Sequence, residues 1–141
     1  MFEFEAPTVD LTMEDMTVKV LDPNGVKPST IIQHEDAWKI KVDWTMGGSA
    51  LDLLGGQWIV ECYYESLGGG PEGRFPDANP NEPVHNNPDD NPDYTHTINV
   101  PAQYLPVNTY RLVTIISHRN GDLTETQAIS EGPTIRIYRH D

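Results

Sequence analysis

The strongest constraint on the fold is an unbroken alternation of apolar and charged residues at 38–44, which reads Trp-Lys-Ile-Lys-Val-Asp-Trp. Successive side chains of a β-strand point to opposite faces of a sheet. The run therefore predicts a strand with one buried and one solvent-facing side.

Comparable patterns predict strands at 16–21, 58–65, 94–100, 110–119 and 122–138, with a short edge strand at 2–5. Asn120-Gly121 predicts a hairpin turn, because both residues tolerate positive φ. The last strand is interrupted at Glu131-Gly132-Pro133, where we expect a bulge or a sheet switch. Residues 49–54 offer at most one helical turn. No segment has the periodicity of an amphipathic helix.

About seven short strands separated by turn signals predict an all-β, antiparallel two-sheet sandwich. A length of 141 residues suits one domain. We expect a single β-sandwich domain over 1–141, with 1–15 as an N-terminal extension or edge strand. Residues 68–92 form a long loop in this interpretation. That stretch holds six of the twelve prolines. Because proline removes ladder donors, we expect no central strand there, and a loop of this length is functional or disordered.

Residues 107–112, Val-Asn-Thr-Tyr-Arg-Leu, resemble the tyrosine corner of immunoglobulin-like and fibronectin type III domains. In that pattern Tyr110 opens strand F and Leu112 occupies the place of the second core cysteine. Trp58 resembles the core tryptophan of strand C, and Ile40 or Val42 would replace the first cysteine. The resemblance implies an immunoglobulin-like sandwich over about residues 36–139 without its disulfide, as expected where thiols stay reduced.

The net charge of −13 disfavours nucleic acid and anionic membranes as partners, and it favours cations or a basic partner. The single cysteine, Cys62, excludes an intrachain disulfide, and its place in an alternating run predicts a buried, inert thiol. The acidic N-terminus does not resemble a signal peptide, and no run has transmembrane length. We therefore expect a cytoplasmic location.

No catalytic constellation is evident. The five histidines lack zinc-binding spacing, and we expect them to be scattered on the surface. No serine lies in a Gly-x-Ser-x-Gly elbow, and the glycine-rich segment at 68–73 lacks the Lys-Ser/Thr of a phosphate-binding loop. These absences predict that the chain is not an enzyme.

The loop is rich in oxygen ligands of the kind that calcium prefers. The candidate metal ligands are Asp77, Asn79, Asn81, Glu82, Asp89, Asp90 and Asp93. Their spacing is not that of an EF-hand, and acids and amides are also ordinary loop residues. They support an alternative function as a calcium-dependent ligand- or carbohydrate-binding module. No other cofactor is expected.

The alternation also assigns side chains to the outer face of the sheet formed by strands C, F and G. With Tyr110 and Leu112 facing the core, the outward residues are Ile59, Tyr63, Val113, Ile115, Arg111, Arg136 and Tyr138. An apolar patch with a polar rim is typical of a binding surface, although β-propensity alone can also place such residues there. We expect a structural or interaction subunit whose partner is a protein, either copies of itself or another assembly subunit.

Overall fold

The computed structural model of the chain describes residues 2–7, 10–22 and 30–139. Within these ranges the protein is all-β. The strands are β1 (Phe2–Glu5), β2 (Thr12–Leu21), β3 (Ile31–Gln33), β4 (Trp38–Gly47), β5 (Gln57–Ser66), β6 (Glu72–Arg74), β7 (Asn81–Pro83), β8 (Asp93–Val100), β9 (Asn108–Asn120) and β10 (Asp122–Tyr138). One 3₁₀ turn, Leu51–Leu53, lies where the sequence predicted a single helical turn.

The strands form two sheets that face one another. The smaller sheet has the order β2-β4-β8, and the larger has the order β1-β10-β9-β5-β6, with β3 also paired to β10 and β7 to β5. All pairings are antiparallel except that of β3 with β10. The predicted all-β, two-sheet sandwich is confirmed, and the strands that the sequence interpretation lettered C, F and G are β5, β9 and β10, which are neighbours in the larger sheet.

The core follows the alternation of the strands. On β4 and β5 the residues Ile40, Val42, Trp58 and Val60 are 0% exposed, and Cys62 is also buried. The Tyr110 hydroxyl donates a hydrogen bond to the carbonyl of Pro106 at 2.7 Å, which is the geometry of a tyrosine corner. The β9 register predicted from that motif is therefore confirmed.

Strand β10 is irregular where the sequence predicted a break. Its register against β9 shifts between Glu131 and Thr134, on either side of Gly132. Before the shift Ala128 and Ser130 face the core, and after it Ile135 and Ile137 do so. The shift lets one long strand keep a buried side along its whole length.

The stretch at 68–92, which the sequence predicted to be a loop, contains two short strands. Strands β6 and β7 have three residues each and extend the larger sheet by pairing with β5. Both lie at the sheet margin, where a strand needs a partner on one side only, so nearby prolines are tolerated. The segment that we call the strap, residues 75–82, starts after β6 and includes the first two residues of β7. Within the described part of the chain, no helix is long and apolar enough to cross a membrane.

Candidate functional site

The strap is anchored in the core at its first residue. Phe75 is 1% exposed, and its ring lies edge-on to Trp38 and Tyr64 at centroid distances of 5.5 and 5.0 Å. Its backbone N–H donates to the carbonyl of Cys62 at 2.9 Å. From this anchor the strap crosses from the larger sheet toward β8, the margin of the smaller sheet.

The strap is fastened to β8 through a buried histidine. His96 is 5% exposed, with its Nδ1 2.5 Å from Glu82 Oε1 and its Nε2 2.6 Å from Asp77 Oδ2. A neutral imidazole has one donor nitrogen, and a carboxylate has none. A neutral His96 ring can therefore donate a hydrogen bond to only one of the two carboxylates. For both contacts to be hydrogen bonds, His96, Asp77 and Glu82 must together hold one additional proton. The arrangement suits an imidazolium between two carboxylates, whose charge-assisted bonds are short and strong.

A second histidine is equally buried but has neutral partners. His118 is 4% exposed, with its Nε2 2.7 Å from the carbonyl oxygen of Gly55 and its Nδ1 3.1 Å from Thr124 Oγ1. Nε2 donates to the Gly55 carbonyl, and the Thr124 hydroxyl, which also donates to the His118 carbonyl at 3.1 Å, is the uncharged partner of Nδ1.

The expectation of scattered surface histidines was therefore wrong for His96 and His118. Both occupy inward positions on strands whose alternation was visible in the sequence. His34 and His85 are half-buried, and His140 lies outside the described residues.

A cleft of about 700 Å³ lies between β8 and the strap. Its polar lining includes Lys39, Asn79, Thr97 and Asn99, and the His96 cluster forms part of its wall. The volume is within the range of about 300–1,000 Å³ that is typical of small-molecule sites. Both nitrogens of His96 are occupied, so the ring has no free position for general acid–base chemistry in this arrangement.

The calcium candidates are not gathered into one cage. Asp77 and Glu82 bind His96, and the other Asp77 oxygen accepts the Asn79 N–H at 3.2 Å. Asp93 accepts a hydrogen bond from Thr45 at 2.7 Å. Within residues 2–7, 10–22 and 30–139, no group of three or more His, Cys, Asp or Glu side chains is placed to hold a metal ion.

Two of the remaining candidates, Asp89 and Asp90, lie close together in the exposed loop before β8. A hydrogen bond with Asp52, followed by slight burial and nearby negative charge, raises the pKa of Asp89 above its ordinary value. Asn81 pairs with Ile59 in the larger sheet, away from these acids. The seven residues are therefore divided among four places.

The residues predicted to form an interface do share one surface, the outer face of the larger sheet. Tyr63 on β5 lies directly opposite Val113 on β9, and Ile115 lies between Glu61 and Ile129 in the next row. All five of these residues are half-buried. Ile59 extends the same face on β5, and Arg111, Arg136 and Tyr138 lie along its margin.

The sequence interpretation missed three apolar members of this face. Ile129 pairs with Ile115 on β10. Ile31 pairs with Arg136 and is 64% exposed, and Leu123 pairs with Arg119 and is 61% exposed. Ile129 faces outward because Ala128 and Ser130 on either side of it face inward, an orientation that the sequence alone did not assign. Together with the predicted residues, these three complete a surface that we call the larger-sheet face.

Ion pairs border the larger-sheet face. Arg74 donates to Glu61 at 2.8 Å, and Glu61 also accepts the Tyr63 hydroxyl at 3.1 Å. Burial, and then the hydrogen bond to Glu61, raises the pKa of Tyr63. Arg111 binds Glu65, and this hydrogen bond raises the pKa of the guanidinium. Two ion pairs thus lie on this face, beside the exposed Glu3 and Glu131, which lie opposite Ile129 and Val113.

The outer face of the smaller sheet has a different composition. Its outward positions in the paired rows are polar or charged, apart from Leu21, which lies opposite Lys39 and is 8% exposed. The polar and charged positions are Asp15, Thr17, Lys19, Lys39, Lys41, Asp43, Thr45, Asp93, Thr95, Thr97 and Asn99. Three of the four lysines lie here, whereas four of the five arginines lie on the larger-sheet face. The two outer surfaces of the sandwich therefore differ in both apolar content and type of cation.

Comparisons with known proteins identify no family. No family model matches the chain, and no curated protein matches it. Among solved structures, the chain is similar to a Niemann-Pick type C2 protein from Japanese carpenter ant, with 13% identity and a TM-score of 0.47. The alignment covers 96% of this chain and 99% of that one.

Proposed function

We propose that the chain is a non-enzymatic structural subunit that associates with copies of itself through the larger-sheet face. The observation that carries this proposal is the asymmetry between the two outer surfaces. One displays isoleucine, leucine, valine, tyrosine and arginine, and the other displays lysine, threonine and aspartate. Arginine, tyrosine and large apolar residues are enriched at protein interfaces, and lysine is depleted there.

The shape of the larger-sheet face also suits docking. A hollow of about 360 Å³ lies beside Tyr63 and Val113, and one of about 300 Å³ lies between Ile59 and Leu123. Side chains that project from one copy, such as Ile31 and Leu123, can fill hollows of this kind on another. Anchors that enter desolvated pockets contribute most of the energy at typical interfaces.

Charge on the larger-sheet face is only partly balanced, and the chain carries −13 overall. Arg74 and Arg111 pair with Glu61 and Glu65, whereas the exposed Glu131 and Glu3 lie opposite Val113 and Ile129. A two-fold contact must therefore keep these acids apart from their counterparts. Full burial of an apolar side chain gains about 1.5–3 kcal/mol, and the half-buried residues here gain only part of that. Several such residues acting together are needed to offset the entropy of association.

We also group the chain with the binding modules of the immunoglobulin-like and fibronectin type III class, on the tyrosine corner and the core position of Trp58. A cytoplasmic setting suits the single buried thiol and the aliphatic residues at the disulfide positions. No contact among the described residues favours the calcium-dependent alternative over this proposal.

The proposal is tested with two variants, each of which adds one negative charge to a different outer surface. Val113→Asp adds a carboxylate to the larger-sheet face, and Thr17→Asp adds one to the smaller sheet at a position that is also half-buried and outward-facing. We expect Val113→Asp to lower the mass of the native particle and Thr17→Asp to leave it unchanged, with both variants folded by circular dichroism. Equal masses for wild type and both folded variants would refute the proposal.

A further inference from the structure

Strand β8 is the open margin of the smaller sheet. Within the described residues it pairs with β4 alone. Its register runs without a shift from Trp38 opposite Val100 to Thr45 opposite Asp93. A strand margin of this kind presents a row of backbone donors and acceptors to any strand that approaches it.

The other sheet margins carry features that discourage such pairing. Strand β2 is irregular between Met13 and Asp15 and carries Lys19 near its other end. Strands β1, β3, β6 and β7 have only three or four residues each. Short strands, irregularities and charges are the usual means by which proteins block edge-to-edge contact.

Strand β8 has none of these features over residues 94–100, which read Tyr-Thr-His-Thr-Ile-Asn-Val. The stretch contains no proline, glycine, lysine, arginine, aspartate or glutamate. Thr95, Thr97 and Asn99 point outward and are exposed, and the one histidine points inward to the strap. The cleft of about 700 Å³ between β8 and the strap has Thr97 and Asn99 in its lining.

We propose that β8 pairs with β8 of a second copy of this chain, antiparallel and about a two-fold axis at Thr97. This places Thr97 opposite its own counterpart, Thr95 opposite Asn99, and Tyr94 opposite Val100. Thr97 is the midpoint of the uncharged stretch, so this register overlaps all of it. Cross-strand threonine and asparagine pairs are favourable, and no like charges lie opposite each other.

The charges in the rows on either side of the axis favour a second copy as the occupant. Lys39 lies in the row of Asn99 and Asp43 in the row of Thr95, whereas Lys41 lies in the row of Thr97 and is separated from its own counterpart by the two paired β8 strands. Because the proposed axis exchanges the rows of Asn99 and Thr95, the basic end of each sheet lies alongside the acidic end of its mate. The two copies would then share one six-stranded sheet, β2-β4-β8 continued into its symmetry mate. This contact is independent of the larger-sheet face.

Disulfide trapping tests the register directly. Cα atoms of directly opposed antiparallel residues are about 4.5 or 5.5 Å apart, within the range for a disulfide. In the proposed pair Thr97 faces itself, whereas the two copies of Thr95 are offset by about 13 Å along the strand. Under mild oxidation Thr97→Cys should form a covalent dimer, Thr95→Cys alone should not, and Thr95→Cys mixed with Asn99→Cys should do so. Cys62 is 1% exposed and does not compete.

Three outcomes would overturn the inference: no dimer with Thr97→Cys, an equal yield with Thr95→Cys alone, or no dimer in the Thr95→Cys and Asn99→Cys mixture. The same trapping in a Val113→Asp background separates the two surfaces. Retained trapping at Thr97 supports an independent contact at β8, even if the larger-sheet face proves not to be an interface. Loss of trapping in a folded Val113→Asp background would contradict that independence.

Discussion

Two histidines at the same depth in the sandwich have opposite surroundings. His96 lies between two carboxylates, and His118 lies between a carbonyl and a hydroxyl. Replacement of buried ionic groups by apolar ones is often neutral or stabilising, so such groups commonly act by specifying a geometry. Here the geometry is the position of the strap on β8.

The contacts of His96 predict where its protons lie. From them we expect nitrogen-15 NMR of the folded protein to show protons on both nitrogens of this ring. His118 serves as the comparison within the same molecule, because its burial is similar and its partners are uncharged. A singly protonated His96 ring would contradict an imidazolium between two carboxylates, and the additional proton would then lie on Asp77 or Glu82.

The reactivity of Cys62 is a second prediction at this scale. Burial is the main cause that raises its pKa from 9.0 to about 12. The folded state therefore favours the protonated thiol, and the resulting stabilisation is present below pH 9.0 and lost as the pH rises toward about 12. We expect a thiol reagent to label Cys62 no faster than the folded protein unfolds locally and exposes the thiol. In Leu53→Cys, at a position that is 85% exposed, the added thiol should react at once; equal rates would exclude a buried Cys62.

Strands were predictable from the sequence because their alternation is a local signal. The runs at β4, β5, β8 and β9 each show it over seven or more residues, and the tyrosine corner sets the parity of β9. Strands β6 and β7 have three residues each, too few for a period to be evident. The strap has no period, and its contacts join residues far apart in the chain, such as Asp77 and His96. The sequence interpretation therefore placed Asp77 and Glu82 among the calcium candidates and did not predict that both contact His96.

The strap depends on Phe75 for its attachment to the core. Phe75→Ala removes a ring that is 1% exposed and contacts Trp38 and Tyr64, and we expect a loss of about 3–5 kcal/mol in the free energy of unfolding. Leu67→Ala, in the preceding connection between β5 and β6, is the control, because Leu67 is 49% exposed and a surface change costs within about 0.5 kcal/mol. Urea denaturation measures both. Similar midpoints for the two variants would mean that the strap is not anchored by Phe75.

At the scale of the whole molecule, the sandwich has one polar outer surface, one apolar outer surface and one open strand margin. The alternation within individual strands is sufficient to assign Ile59, Tyr63, Val113 and Ile115 to the apolar surface. Ile129 is harder to assign to a face of the sheet. Because the register of β10 shifts at Gly132, the inward and outward positions before the shift cannot be deduced from those after it. Two-fold contacts at both the larger-sheet face and β8 would link copies into tetramers or longer filaments.

The most direct test of the larger-sheet face is hydroxyl-radical footprinting of the unmodified protein over a range of concentrations. We expect oxidation of Tyr63, Ile31 and Leu123 to fall as concentration rises, because association covers these side chains. Oxidation of Leu53, which is 85% exposed and lies off this face, should stay constant and serves as the internal control. Protection of Tyr63, Ile31 and Leu123 alone is the predicted result. Unchanged oxidation of all four side chains at every concentration would contradict self-association through this face.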